Sequence, residues 1–355
     1  MRAISCWLLA ATAAVLASPV LARDPEPRPL RVIGEAVTPI EGAPARFVID
    51  AVITPGDAAF QGEVEGWFAA LPPAGDSDEI EGTCVEARCA LSADGASGKL
   101  AISADLAGPG APGAGKLAFT DNDDRTQETP LRFTAITGPV PGLGTLAAPG
   151  AIGAHELSDL LTWAGYPTGF SNSDDEEVDW LQRGALAEWQ SGHERPGGGL
   201  ILMEDLALLR AETASARQTA GWRELGGAGW SGGYPAALLP KASGVAPEQR
   251  FTSADGAAVL VIAIDPPLSG EAWDAFVDET TADRGGVENR SYTRVNDEME
   301  ISYEEKGRVV VGAFHRRDGG FARLEFSFPA DQRETYDRYV PILQRSLKVT
   351  EDLKR

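Results

Sequence analysis

The residues with the clearest catalytic potential are the three types that make up a serine hydrolase triad. The segment Gly229–Gly233 reads GWSGG and matches the G-x-S-x-G pattern, with Asp265 and His315 following in the order that such hydrolases use. That motif requires a buried strand before the serine and a helix after it. Here the flanking segments are RELGG at 223–227 and the pair Tyr234-Pro235. We therefore interpret the match as part of a glycine-rich linker and predict no catalytic residue.

Metal and cofactor chemistry have equally weak signals. The three histidines, His155, His193 and His315, are far apart in the sequence and form no ligand triad. The acidic run at 121–124 lacks the central glycine and terminal glutamate of a helix-loop-helix calcium site, so we interpret it as a solvated turn. The sequence predicts no metal and no cofactor.

The N-terminus predicts export. A basic Arg2 precedes an apolar run from Cys6 to Leu16, and small residues follow up to Ala22, as in a secretory signal peptide. We expect cleavage near Ala22 and a periplasmic or secreted protein. The apolar run is too short to span a bilayer, so no stable membrane insertion is expected. In an oxidising compartment the two remaining cysteines, Cys84 and Cys89, should form one short disulfide.

The chain is strongly acidic, with a formal net charge of −22 at pH 7. Such a charge repels the phosphate backbone of nucleic acids and anionic lipid surfaces. No basic stripe with interleaved aromatic residues compensates for it. The composition therefore excludes nucleic acid as a partner.

Helical periodicity is concentrated between residues 155 and 210. Leucines and an alanine recur at i, i+3, i+4 and i+7 before Gly165, which predicts a first helix that ends there. A second helix is predicted from Val178 to Trp189. A third follows three glycines and carries Leu202, Leu206 and Leu209. Three short helices of this length can enclose one small core.

This segment resembles the peptidoglycan-binding-like domain. The pairs Gly165-Tyr166 and Trp189-Gln190, together with the leucine-bearing helix from Leu200 to Leu209, match its marks. The resemblance implies that Trp189 lies in the core and that the module contacts the cell wall. Around it, Tyr166, Phe170 and Trp180 stand next to glycine, serine or acidic residues. We predict these three as ligand contacts, because an amphipathic ring can stack on a sugar.

The C-terminal third shows a hairpin at 249–263, a helix at 271–283, three strands between 291 and 316 that lead to a further strand at 322–328, and a closing helix. This order resembles the sandwich of the PsbP-like group, without any shared motif residues. That resemblance implies a docking or assembly module and argues against chemistry.

Together these patterns predict a multidomain α+β protein. It would have an N-terminal antiparallel β domain, a small three-helix module and a C-terminal α/β sandwich with an antiparallel sheet. The predicted units are a signal peptide at 1–22, the β-rich domain with the Cys84–Cys89 disulfide at 30–150, the helical module at 151–212, a glycine-rich linker at 213–240 and the PsbP-like domain at 241–355.

The predicted function is binding without catalysis. The central helical module would bind peptidoglycan or a cell-envelope protein. A cell-wall-active hydrolase is the first alternative, and a periplasmic assembly factor that binds only protein is the second.

Overall fold

A computed structural model describes most of the chain. The described residues are 28–55, 61–71, 78–85, 88–95, 98–105, 113–148, 150–168, 178–227, 229–245, 247–282, 285–317 and 320–349. The predicted signal peptide lies outside them. Within these ranges, no helix combines the length and the apolar character that crossing a membrane requires.

The α+β class predicted from the sequence is wrong, because the protein is mostly β. About half of the described residues lie in strands and about a quarter in helices. Two features raise the proportion of strand above the predicted one. The N-terminal part is a closed barrel, and the segment expected to be a linker contains strands.

The N-terminal unit is a closed barrel of eight antiparallel strands in chain order, in which β8 pairs back onto β1. The strands are β1 (Arg28–Ala36), β2 (Arg46–Pro55), β3 (Gln61–Ala70), β4 (Asp78–Val85), β5 (Arg88–Gly95), β6 (Gly98–Asp105), β7 (Gly113–Asp121) and β8 (Thr126–Ala135). In β6, Leu100, Ile102 and Ala104 are buried and alternate with exposed residues. This period of two directs one set of side chains into the barrel core.

Three helices follow the barrel: α1 (Ala154–Ala164), α2 (Trp180–Gly192) and α3 (Met203–Ala220). We call them the helical module. Gly165 ends α1 in the left-handed conformation, with a φ of 96°, as the sequence predicted. Asp179 and Gln182 form a capping box at the start of α2. The leucines of all three helices and Trp189 form the core of the module.

The segment at 213–240, expected to be a glycine-rich linker, holds regular structure. It contains the end of α3, followed by β9 (Trp222–Gly227) and β10 (Trp230–Pro235), which pair with each other. A C-terminal strand, β18 (Lys348–Val349), pairs with β10. Glycines fit here because Trp222 fills the space that a Cβ at Gly233 would need, at 2.1 Å from the nearest ring atom.

The C-terminal unit is built on a seven-stranded antiparallel sheet of order β11-β12-β13-β17-β16-β15-β14. Its strands are β11 (Lys241–Val245), β12 (Glu248–Thr252), β13 (Val259–Asp265), β14 (Val287–Val295), β15 (Glu298–Glu305), β16 (Arg308–Arg317) and β17 (Gly320–Pro329). The helix α4 (Gly270–Thr281) packs on one face through Trp273 and Val277. The short helices α5 (Arg333–Tyr336) and α6 (Val340–Ser346) pack on the other face.

The helical module contacts both neighbouring units. Val48 and Ala69 on the outside of the barrel share a buried cluster with Leu200 and Leu202, which precede α3. On the other side, Trp163 of α1 belongs to the core of the C-terminal unit, where it packs edge-on against Trp222. The module is therefore the structural centre of the chain.

Candidate functional site

Trp180 is the most exposed tryptophan side chain among the described residues, with 67% of its surface accessible. It is the first residue of α2. The Asp179 carboxylate accepts hydrogen bonds from the backbone N–H groups of Leu181, at 2.8 Å, and Gln182, at 3.2 Å. This capping fixes where the helix begins and leaves the indole ring in solvent. An exposed indole ring of this size offers a large apolar surface against which a ligand can pack.

Tyr166 lies at the end of α1 and is half-buried. Its ring packs against the core of the helical module. Its hydroxyl occupies the space beside Gly192, where an added Cβ would lie 2.5 Å from the Tyr166 oxygen. The side chain therefore has a packing role, and only part of it can meet a ligand. Phe170, the third predicted contact, lies outside the described residues.

Trp189 has the structural role that the sequence predicted. It is fully buried, and its indole N–H donates to Glu212 Oε2 at 3.1 Å. The His193 ring stacks on it with a centroid distance of 4.6 Å, and His193 Nε2 lies 3.1 Å from Glu212 Oε1. The indole N–H, which is the polar group of the ring, is thus hydrogen-bonded within the protein.

Gln190 is also a structural residue, and the sequence analysis did not assign it a role. Its amide donates to the Leu200 carbonyl at 3.0 Å and to Asp205 Oδ2 at 2.6 Å, and it accepts from the Gly199 N–H at 2.8 Å. Asp205 is fully buried and also accepts a hydrogen bond from Arg195. These bonds hold the glycine loop before α3 against the end of α2.

A second polar cluster lies on β15. Burial disfavours ionised Glu298, but the nearby charge of His315, together with the charge and the hydrogen bond of Arg317, outweighs that effect and lowers the pKa of Glu298 to about 2. Burial raises the pKa of Glu300 to about 7, and the charge of Arg345 offsets only part of the effect. Arg345 donates to Thr168 Oγ1 at 3.3 Å, so this cluster borders the helical module. Sequence patterns gave no signal for it.

The residues of the apparent hydrolase motif have other partners. Ser231 lies on β10, paired with Gly226 and Lys348, and not on a turn between a strand and a helix. Asp265 accepts from Arg323 at 2.7 Å. His315 Nδ1 lies 3.2 Å from Glu298 Oε1. No cluster of metal-ligating side chains occurs in the part of the chain that the structure describes.

The predicted disulfide between Cys84 and Cys89 is confirmed. The two residues are direct partners across β4 and β5, and both side chains belong to the barrel core. The acidic run at 121–124 forms a turn, in which Asp121 accepts hydrogen bonds from the N–H groups of Asp123 and Arg125 at 2.9 Å each.

Comparison with known proteins gives little further guidance. No model of a known protein family matches the chain, and no curated protein matches it. The family comparison therefore gives no support to the resemblance to the peptidoglycan-binding-like domain. Among solved structures, the solution structure of cyanobacterial PsbP (CyanoP) from Synechocystis sp. PCC 6803 is similar, with 12% identity.

That similarity covers 36% of this chain and 92% of the PsbP chain, with a TM-score of 0.27. A TM-score of this size carries no argument about fold or function.

Proposed function

We propose that this protein is an exported, non-enzymatic binding protein that contacts peptidoglycan or a cell-envelope partner through its helical module. The observation that carries the proposal is the exposed ring of Trp180 at the start of α2. In the same module Trp163 and Trp189 are buried and serve the fold. Among the described residues Trp180 has no such packing role, and an exposed indole ring can stack on a sugar or pack against a protein partner.

The position of Trp180 supports the proposal further. The faces of the module formed by Leu200, Leu202 and Trp163 are covered by the barrel and the C-terminal unit. A partner can therefore reach the module only at its remaining surface, which includes Trp180. An exposed tryptophan of this kind is a common anchor in binding sites.

The test is a pelleting experiment with purified peptidoglycan sacculi and the full chain. Trp180→Ala should weaken co-pelleting at least about tenfold, since hot-spot tryptophans contribute on that scale. Tyr292→Ala is the matched control, because Tyr292 is an aromatic residue on β14 with 54% exposure and lies outside the module. Tyr166→Phe tests the hydroxyl of Tyr166 without removing the packing of its ring.

The outcomes separate the three functional classes. Co-pelleting that only Trp180→Ala loses, with no soluble fragments, supports wall binding. Release of fragments would instead indicate a hydrolase. Protein that stays in the supernatant contradicts wall binding, and capture of an envelope protein that depends on Trp180 would then identify the assembly factor.

Charge provides a further check on the nature of the ligand. A chain of net charge −22 is repelled by the carboxylates of the wall polymer, and salt screens that repulsion. Binding through Trp180 should therefore strengthen as the salt concentration rises. Binding that weakens with salt would show that attraction between opposite charges is the main contribution.

A further inference from the structure

A groove lies on the face of the C-terminal sheet that carries α4, beyond the part that this helix covers. Its volume is about 500 Å³, and Val259, Val261 and Val310 contribute to its walls together with Arg250 and Arg308. The groove is separate from the helical module and from the proposed wall contact.

The strand register places these side chains on one face. Arg250 pairs with Val261, which pairs with Glu325 on β17. One row further along, Val259 pairs with Ser327, which pairs with Val310. Side chains of directly opposed residues point to the same side of a sheet. The alternate residues, such as Leu260 and Leu324, are buried on the other face. The regular register of the sheet therefore forms the groove.

The two arginines of the groove carry charges that no carboxylate neutralises within the described residues. Arg308 donates to the Ala257 carbonyl at 2.9 Å and to Ser327 Oγ at 3.0 Å, which are both uncharged acceptors. Arg250 is exposed and takes part in no ion pair in those ranges. In a chain of net charge −22, two such guanidinium groups in one groove are unexpected.

The acidic residue of the groove is already paired. Glu325 accepts from Arg323 at 2.7 Å. The same arginine also binds Asp265 at 2.7 Å and Glu248 at 3.0 Å. Arg323 therefore pairs with the carboxylate that lines the groove, and neither Arg250 nor Arg308 takes part in an ion pair among the described residues.

From this arrangement we propose that the groove binds a small organic anion. Its carboxylate or phosphate contacts Arg250 and Arg308, and its apolar part lies against the three valines. Guanidinium groups donate planar, charge-assisted hydrogen bonds to both kinds of anion. The valines favour a ligand with an apolar portion over a bare inorganic ion.

The experiment titrates the full chain, with valine methyl groups labelled for NMR, with hexanoate, hexyl phosphate, inorganic phosphate and hexanol. We expect saturable shifts of the Val259, Val261 and Val310 methyl signals with one or both amphiphilic anions. Comparison of hexanoate with hexyl phosphate identifies the preferred head group. Inorganic phosphate and hexanol, which each lack one half of the ligand, should bind at least about tenfold more weakly.

Arg250→Gln is the decisive variant, because this exposed side chain has no hydrogen-bond or ion-pair partner among the described residues that the fold would lose. It should weaken binding about tenfold, the effect of removing one charge-assisted hydrogen bond. Arg88→Gln is the control, since Arg88 is an exposed arginine on the barrel, far from the sheet in sequence. The proposal is overturned if neither amphiphilic anion shifts these methyl signals, if hexanol binds equally well, or if Arg250→Gln has no effect.

Discussion

The guanidinium carbon of Arg183 lies 4.1 Å from the centroid of the Trp67 ring, so a side chain of α2 rests on a side chain of the barrel. Arg183 is buried, and it donates to the Gly199 carbonyl at 3.3 Å. Burial lowers its pKa to about 9, although the charge of Asp50 on β2 opposes the shift. This cation joins the barrel to the helical module.

Replacing Arg183 should loosen that junction. Arg183→Ala removes the guanidinium that packs on Trp67 and donates to the Gly199 carbonyl, whereas Asp50 keeps its ion pair with Arg31, so we expect a loss of roughly 2 kcal/mol in the free energy of unfolding. Urea denaturation measures it. Arg210→Ala is the control, because the ion pair of Arg210 with Glu156 is about half exposed and should contribute less than about 1 kcal/mol. Equal losses in the two variants would contradict a special role for Arg183.

Glu300 should make stability depend on pH. Burial raises its pKa from 4.5 to about 7 in the folded state, so the folded chain binds the proton more tightly than the unfolded chain. Its contribution to stability is therefore full below pH 4.5 and is lost as the pH rises to about 7. The loss is about 3 kcal/mol at most.

Thermal or urea unfolding between pH 5 and 7.5 tests this effect. Glu298 stays ionised throughout that window, because its pKa is about 2. Glu300→Gln should flatten the fall in stability, whereas Glu128→Gln, on the exposed barrel surface, should leave it unchanged. A slope that Glu300→Gln does not alter would show that another group titrates.

Reduction of the Cys84–Cys89 disulfide should have a modest effect. The two cysteines are only five positions apart, so the loop that they close is short and its loss costs roughly 2 kcal/mol. Eight paired strands still close the barrel after reduction. Circular dichroism should therefore show a lower midpoint of unfolding and an intact β signal at room temperature. A variant with alanine at both positions should not respond to reductant.

Local patterns predicted the local structure well. The helical spacing before Gly165 and the cysteine pair both correspond to elements of the fold. In each case the signal is contained within a few neighbouring residues. The period of two between 30 and 150 likewise predicted antiparallel strands, but the closure of β8 onto β1 joins residues about a hundred positions apart. No local pattern encodes that pairing.

The linker prediction was wrong because glycines are also compatible with strands. The glycines between 226 and 233 suggested a linker, whereas β9 and β10 use them because Trp222 and Trp230 occupy the space above the backbone.

The candidate sites could be predicted from the sequence only in part. Tyr166 and Trp180 look alike in sequence, flanked by small and polar residues, but only Trp180 is free of packing contacts with the module core. The arginine groove depends on register across four strands and has no sequence signal.

The hydrogen bonds of Gln190 allow a structural role of the Trp189-Gln190 pair to be distinguished from a role in ligand binding. Asp205→Ala removes the buried acceptor of Gln190 and Arg195, so we expect a loss of about 3 kcal/mol in the free energy of unfolding. Asp205→Asn should lose less, since it can still accept from Gln190. Glu188→Gln, on the exposed side of α2, should cause no change.

Sacculus binding by these variants, measured at a temperature where each remains folded, then decides between the roles. We expect Asp205→Ala to bind as well as the unaltered chain, because Gln190 and Asp205 are buried and their hydrogen bonds are made within the protein. A folded Asp205→Ala chain that no longer pellets would instead mean that the glycine loop at 197–199, held by Gln190, forms part of the ligand site.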